Sequence, residues 1–346
     1  MLKSEVNDNI QDYLRTLSPT QGTDYSLWKA TKRLKQPQIP VLPLRLPDGK
    51  WARSAQAKAE TFAQHLKQVF TPHPGETLTD ENEVHRSLNE TYQMEPPLEK
   101  FKMSEVVKTI KYDISPKKAP GYDLITGQIL FEKLILSRLK PIIERKQLIP
   151  NHQFGFRHEH ATIEQAHRVY NKIFASLEEK KYCSAAFLDI TQAFDKVWHT
   201  GLLYKIKSNL PLGFYTLLKS YLLDRYFFVQ YQDVSTELHK IQAGVPQGSV
   251  LGPILYLLYT ADLPTKTGVT TATFADDTAV LASHKNPILA TQMLQSNLND
   301  IQKWLKTWRI KANEAKSVHV TFTTRRETCP EVSLNGQQIP QSGLNT

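Results

Sequence analysis

Two apolar runs in this chain end in acidic residues: SAAFLDI at 184–190, and TTATFADDTAVLAS at 270–283. A carboxylate at the end of a buried strand is costly unless something answers its charge. Asp189, Asp276 and Asp277 are therefore expected to converge in the fold, although 87 positions separate the first two. Carboxylate oxygens from neighbouring strands are what hard divalent cations take. Two such cations about 3.5–4 Å apart can serve an in-line displacement at phosphorus. An acidic pair alone is a weak signal, and two solvated turns remain the plain alternative.

The order of elements narrows the choice. Residues 184–190 read as a strand, followed by helices at 201–209 and 213–224 and a strand pair at 226–243 turning near Asp233. A helix at 249–259 comes next, then two strands with Asp276-Asp277 at their turn, a helix at 287–309 and a strand at 317–323. Without the inserted pair this is βαββαβ, the split ferredoxin-like arrangement that also builds a polymerase palm. The first strand then lies beside the hairpin, which brings Asp189 to Asp276. The fold class is α+β, with a palm core, partial fingers and a largely helical N-terminal extension.

Upstream, QPQIPVLPLRLPDGK at 36–50 carries four prolines and reads as an extended connector. Residues 51–70 show a helical face of Ala55, Ala59, Phe62, Ala63, Leu66 and Phe70. Residues 1–100 are read as a linker or accessory region, 101–183 as truncated fingers, 184–326 as palm and 327–346 as a tail without a thumb. Helices are expected at 103–112 and, kinked by Pro141, at 131–149. Thr162 and Gln165 have capping-box spacing, which predicts a helix from Ile163 to about Glu179. Its buried face would be Ile163, Val169, Tyr170, Ile173, Phe174 and Leu177.

Other residues could serve the same chemistry. Phe194 is bulky enough to clash with a 2′-hydroxyl, though taken alone it reads as core in preference. Asp195 is expected to be structural, capping the next helix. In AGVPQGSVLGP (243–253), Pro246 and Gly248 shape a tight loop, and Gln247 can contact nucleotide or template. Lys316 stands just before the last strand, where it could reach a pyrophosphate. Lys117, Lys118 and Arg157 are candidate backbone contacts to nucleic acid. Trp304 and Trp308 read as core in preference to a base-stacking platform. His158 and His160 read as an exposed loop in preference to metal ligands.

The net charge of +9 suits a polyanionic partner or a basic solubilising surface. Two cysteines make neither a disulfide framework nor a zinc cluster. The polar start lacks a signal-peptide core, and apolar runs such as ILYLLY are too short to span a bilayer. A soluble intracellular protein of the nucleus or cytoplasm, without membrane association, is expected.

Six ordered segments together resemble a known family: KKAPGYDLI (117–125), HQFGFRHEHATIEQ (152–165), AAFLDITQAFDKVWH (185–199), AGVPQGSVLGPILY (243–256), TFADDTAVL (273–281) and IKANEAKS (310–317). The set is similar to the reverse transcriptase of non-LTR retrotransposons of the jockey type, over roughly 101–326. The resemblance implies RNA-directed DNA polymerase activity on an RNA template, a DNA primer and deoxynucleoside triphosphates. It implies Asp189, Asp276 and Asp277 as catalytic ligands of two divalent metal ions, Mg2+ or Mn2+. Phe194 then matches the sugar gate, Gln247 and Gly248 the nucleotide and template contact, and Lys316 the basic residue of the last palm motif.

The chain departs from that family between Asp123 and Phe131, where the family carries several dozen residues of the fingers. Only LITGQIL stands here. By the same resemblance, an endonuclease domain before the linker and most or all of a thumb after the palm are expected to be missing. A poor or inactive polymerase is therefore expected of this chain. The alternative is an inactive relic that at most binds nucleic acid. A Phe at 194, and ADD where a Gly-Asp-Asp turn would stand, speak against RNA-templated RNA synthesis.

Overall fold

The structure is a computed structural model and describes residues 42–46, 48–75, 78–90, 98–112 and 125–342. In chain order, a short ribbon of β1 (Leu44–Arg45) and β2 (Trp51–Ala52) precedes helices α1 (Ala55–Val69), α2 (Leu78–Asn89) and α3 (Met103–Tyr112). Helices α4 (Ile125–Arg145) and α5 (Thr162–Glu178) lead to strand β3 (Tyr182–Leu188). Helices α6 (His199–Asn209) and α7 (Leu212–Leu222) follow. Two nested pairs come next, β4 (Tyr226–Phe227) with β7 (His239–Lys240) and β5 (Gln230–Tyr231) with β6 (Val234–Ser235). Then come α8 (Gly252–Thr260), β8 (Val269–Phe274), β9 (Asp277–His284), α9 (Pro287–Thr307) and β10 (Val318–Phe322). A terminal pair, β11 (Ser333–Leu334) and β12 (Gln337–Gln338), ends the described chain.

The central sheet has the order β10-β3-β9-β8, with every neighbouring pair antiparallel. Alternation along β3 supplies both faces, as the period of two requires. Ala186 and Leu188 join Val280 and Ala282 against Leu294, Leu298, Ile301 and Leu305 of α9. Cys183 and Ala185 join Leu281 on the other face, against Val169 and Ile173 of α5. A larger core unites α4, α6, α7 and α8 around Leu139, Leu202, Leu218 and Leu255, all fully buried. That core holds the loops on either side of β3 and so positions the acidic end of the sheet.

Several expectations need correction. Helix α5 turns a different face inward: Ile163, Tyr170 and Phe174 are 65%, 59% and 47% exposed. Gln165 is the cause. It is buried and donates from Nε2 to the carbonyls of His152 (2.7 Å) and Thr273 (2.9 Å), which rotates the helix so that Val169 and Ile173 meet the sheet. Because Gln165 is engaged there, the cap is made by Glu164, whose carboxylate accepts the Ala161 N–H at 2.7 Å. Helix α4 begins at Ile125, six positions before the expected start, and continues through Pro141.

The segment after 326 is not a loose tail. Val332, Leu334 and Ile339 are buried against α9. At the other end, the accessory helices are tied to the body. The Phe70 carbonyl, at the end of α1, accepts from the Gln242 and Ala243 N–H groups at 3.0 and 2.8 Å. Lys207 of α6 donates to the Ser87 and Glu90 carbonyls at the end of α2. Residues 1–41 and 47, which include Pro37, Pro40 and Pro47 of the proline-rich stretch, lie outside the described residues.

Candidate active site

The acidic end of the sheet is assembled by register. Leu188 pairs with Thr278 at the last position of the β3–β9 ladder, so Asp189 follows directly opposite the start of β9 at Asp277. Neighbouring antiparallel strands put such backbone positions about 5 Å apart. The β8–β9 hairpin closes at Phe274↔Asp277, leaving Ala275 and Asp276 as its two turn residues. Asp189 is held from its other side as well. Its N–H donates to Ser317 Oγ at 3.2 Å and its carbonyl accepts the Asn313 N–H at 2.8 Å. The IKANEAKS segment is thereby fastened beside it, and the exposed Lys316 stands one residue from Ser317.

The electrostatics record the convergence. The Asp276 carboxyl is pushed above the usual carboxylate range by burial first, and then by the charges of Asp277 and Asp189. Among the described residues, no Lys or Arg forms an ion pair with any of the three. Three hard oxygen-donor side chains with uncompensated charge fit a divalent cation in chemistry. They do not form a ready cage: among the described residues, no three His, Cys, Asp or Glu side chains stand as a closed metal-holding group.

Phe194 stands next to this cluster. Its ring stacks on Tyr256 at 4.6 Å and meets Phe156 edge-on at 5.9 Å. Tyr256 links it to the acids, since burial and the charges of Asp276 and Asp277 raise the Tyr256 hydroxyl far above its ordinary pKa. The Phe194 carbonyl accepts the Val245 N–H at 2.9 Å, so the AGVPQGSVLGP loop runs beside it. Gly244 has φ +97°, and a Cβ there would lie 2.8 Å from the Asp195 carbonyl oxygen, which requires glycine. Gln247 and Gly248 are both exposed beyond this crossing, and Gln247 Nε2 donates to Asp195 Oδ1 at 2.8 Å. Asp195 therefore does not cap the next helix as expected. That helix begins at His199 with Trp198 before it, too far along for the Asp195 carboxylate to serve it.

Two functional supports were missed from sequence. Glu132 of α4 is 2% exposed, and its carboxylate accepts the N–H groups of Val250 (2.6 Å) and Leu251 (3.2 Å) and the Tyr221 hydroxyl (3.0 Å). It anchors the far end of the same loop. The clue available was an acidic residue inside the apolar run FEKLIL, which is costly unless paired. Gln153 is 5% exposed and bonds to the backbone of Ala275. Arg157 is turned to its own loop, donating from Nη1 to the Pro150 and Gln153 carbonyls at 3.1 Å each. Lys117 and Lys118 lie outside the described residues. Trp304 is core, with its indole N–H on Asp262 at 2.9 Å, and Lys205 lies 3.7 Å over the Trp308 ring.

The family described as "Reverse transcriptase (RNA-dependent DNA polymerase)" matches residues 125–339, which include all of this site. The chain belongs to the reverse transcriptase family. It is 37% identical over 399 residues to "RNA-directed DNA polymerase from mobile element jockey" of Drosophila melanogaster, covering 95% of this chain and 43% of that protein. It is 35% identical over 408 residues to the protein of the same name from Drosophila funebris, covering 98% and 44%. It is 35% identical over 384 residues to "Probable RNA-directed DNA polymerase from transposon X-element" of Drosophila melanogaster, covering 92% and 42%. The chain thus spans less than half the length of the curated relatives it matches. Among solved structures, apo telomerase from Candida Tropicalis truncated from its C-terminal domain is 15% identical at a TM-score of 0.41, covering 65% of this chain and 48% of that one. Among the described residues, no helix is long and apolar enough to cross a membrane.

Proposed function

We propose that this reverse transcriptase chain carries the catalytic palm of an RNA-directed DNA polymerase of a non-LTR retrotransposon, extending a DNA primer on an RNA template. The observation that carries the proposal is the meeting of Asp189 with the Asp276-Asp277 hairpin at one end of the sheet. The strand order β10-β3-β9-β8 with helical crossovers supports a ferredoxin-like palm. Two divalent cations, Mg2+ or Mn2+, when held by Asp189, Asp276 and Asp277, would activate the primer 3′-hydroxyl and stabilise the leaving pyrophosphate. Phe194, whose ring stacks on Tyr256, would exclude a 2′-hydroxyl. Gln247 and Gly248 offer the exposed loop tip to nucleotide and template, and Lys316 supplies a positive charge beside Asp189. Lys117 and Lys118 would contact the nucleic-acid backbone from the segment before α4. Arg157, spent on loop carbonyls, would act by shaping that loop. Nucleus and cytoplasm both offer the RNA template.

A second reading, a chain that keeps the palm but turns over poorly, is favoured by the length of the matches. The 399-residue match covers 95% of a 346-residue chain, about 329 residues, so about seventy positions of that relative face no residue here. We place the loss before α4, in the fingers. Positioning of reactants can supply about 7–11 kcal/mol, and losing about 4 kcal/mol of it slows turnover roughly a thousandfold. The test is primer extension on an RNA template by the chain as written and by a version with a family fingers segment grafted before Ile125. The grafted protein should extend at least a hundredfold faster, and Asp189→Asn should abolish that extension. Equal extension by both would show the gap to be harmless. Extension that survives Asp189→Asn would overturn the assignment of the site.

A further inference from the structure

We propose that Gln153 is a positioning residue that holds the Ala275-Asp276 turn in a conformation alanine does not favour, and thereby aims the Asp276 carboxylate. The inference rests on the metal-binding reading of that carboxylate given above. Ala275 has φ +58°. A two-residue hairpin with a positive φ at its first turn position normally takes glycine there. For an L-residue with a Cβ this region costs about 1 kcal/mol or more, and it persists only when the surroundings hold it.

The hold is visible, and it comes almost entirely from one side chain. Gln153 Oε1 accepts the Ala275 N–H at 2.9 Å, while Nε2 donates to the Ala275 carbonyl at 3.1 Å. Both backbone groups of the strained residue are thus satisfied by the two ends of one amide. The amide is itself fixed, because Oε1 also accepts the Gly155 N–H at 2.8 Å. Its backbone is laced to β8: Phe154 N–H donates to the Thr273 carbonyl at 2.9 Å, and Thr273 N–H to the His152 carbonyl at 2.9 Å. The approach is so close that a Cβ on Gly155 would sit 2.2 Å from the Ala275 nitrogen. The chemistry demands an amide. Glutamate offers two acceptors and would set an oxygen against the Ala275 carbonyl. Alanine leaves both Ala275 groups without a partner.

The experiment uses the full chain and reads Mn2+ binding by electron paramagnetic resonance, with amide hydrogen exchange of the hairpin alongside. Wild-type binding should require Asp276, as shown by its loss in Asp276→Asn. Gln153→Ala and Gln153→Glu should each weaken Mn2+ about tenfold, the low end for residues that orient a metal ligand. Ala275→Gly alone should change affinity less than threefold. Combined with Gln153→Ala, it should recover most of the loss, because glycine takes the positive φ unaided. A general loss of packing at 153 would not be repaired by a change at 275. Unchanged affinity in Gln153→Ala, or a loss equally deep in the double variant, overturns the inference. Absence of Asp276-dependent Mn2+ binding in the wild type overturns the metal reading instead. Exchange then decides the clamp: selective loss of protection at Ala275 in Gln153→Ala supports it, and unaltered protection ends it.

Discussion

Replacing Glu132 tests whether helix α4 holds the loop at 243–253. In Glu132→Ala, two backbone N–H groups and the Tyr221 hydroxyl lose their shared acceptor in a place where the residue is 2% exposed. Each buried group left unsatisfied costs about 1–3 kcal/mol. Water entering the vacated space would recover part of that, so the net loss should be about 4 kcal/mol. At about 2.1 cal/mol/K per residue over 346 residues, 1 kcal/mol shifts the melting temperature by about 1.4 °C, so it should fall by about 6 °C. Glu132→Gln behaves differently. Its single oxygen can still accept both N–H groups and its amide can donate to the Tyr221 oxygen, so only the charge assistance is lost. That variant should lose about 1 kcal/mol and stay within about 2 °C of wild type, while the Ala variant falls about three times as far. Parallel thermal melts of the three proteins decide the matter. In the grafted polymerase the Ala variant should also raise the KM for deoxynucleotide more than it lowers kcat, since the loop and not the acidic cluster is disturbed. An Ala variant within 2 °C of wild type, or a Gln variant as damaged as Ala, would refute the hydrogen-bond reasoning.

Further outcomes follow from the same geometry. Phe194→Val in the grafted protein should relax discrimination against ribonucleotides, because a pocket penalises an added hydroxyl only where something fills the space; an unchanged deoxy-to-ribo ratio removes Phe194 from that role. Asp276→Asn should raise the melting temperature at pH 7. The folded carboxyl titrates above its unfolded value of 3.8, so its charge costs stability fully above the folded pKa and the cost fades as pH falls toward that unfolded value. Melts at pH 7 and near pH 4 should show the gain shrinking; a gain equal at both contradicts a cost of charge from burial and from the neighbouring aspartates. Gly155→Ala should force the Ala275 backbone to move by more than an ångström from a contact of 2.2 Å, and a displacement of that size costs about a hundredfold in rate. Normal extension by this variant in the grafted protein would show that the hairpin has slack.

Much of the site was legible in the chain itself, for a physical reason. A carboxylate at the end of an apolar run announces that charge is wanted there, and strand-like apolar runs on both sides of Asp276-Asp277 predict the hairpin. The strands found at 182–188, 269–274, 277–284 and 318–322 lie within two residues of where the pattern put them. What local pattern cannot carry is the identity of a helix's partner. The apolar stripe of α5 runs from Val169 and Ile173 round to Ile163 and Phe174, and only the distant Thr273 and His152 carbonyls decide that Gln165 faces inward and Tyr170 outward. The same holds for the supports of the site. Gln153 and Glu132 bond to backbone 122 and 118 positions away, and backbone acceptors and donors look alike at every residue of a sequence. Nor could the terminal segment be read, because Val332, Leu334 and Ile339 are buried by residues of α9 and the central sheet that lie far from them in the chain. The sequence alone determined which residues would carry charge at the end of the sheet; only the tertiary structure decided which backbone groups hold those charges in place, because hydrogen bonds between segments depend on proximity that chain order does not encode.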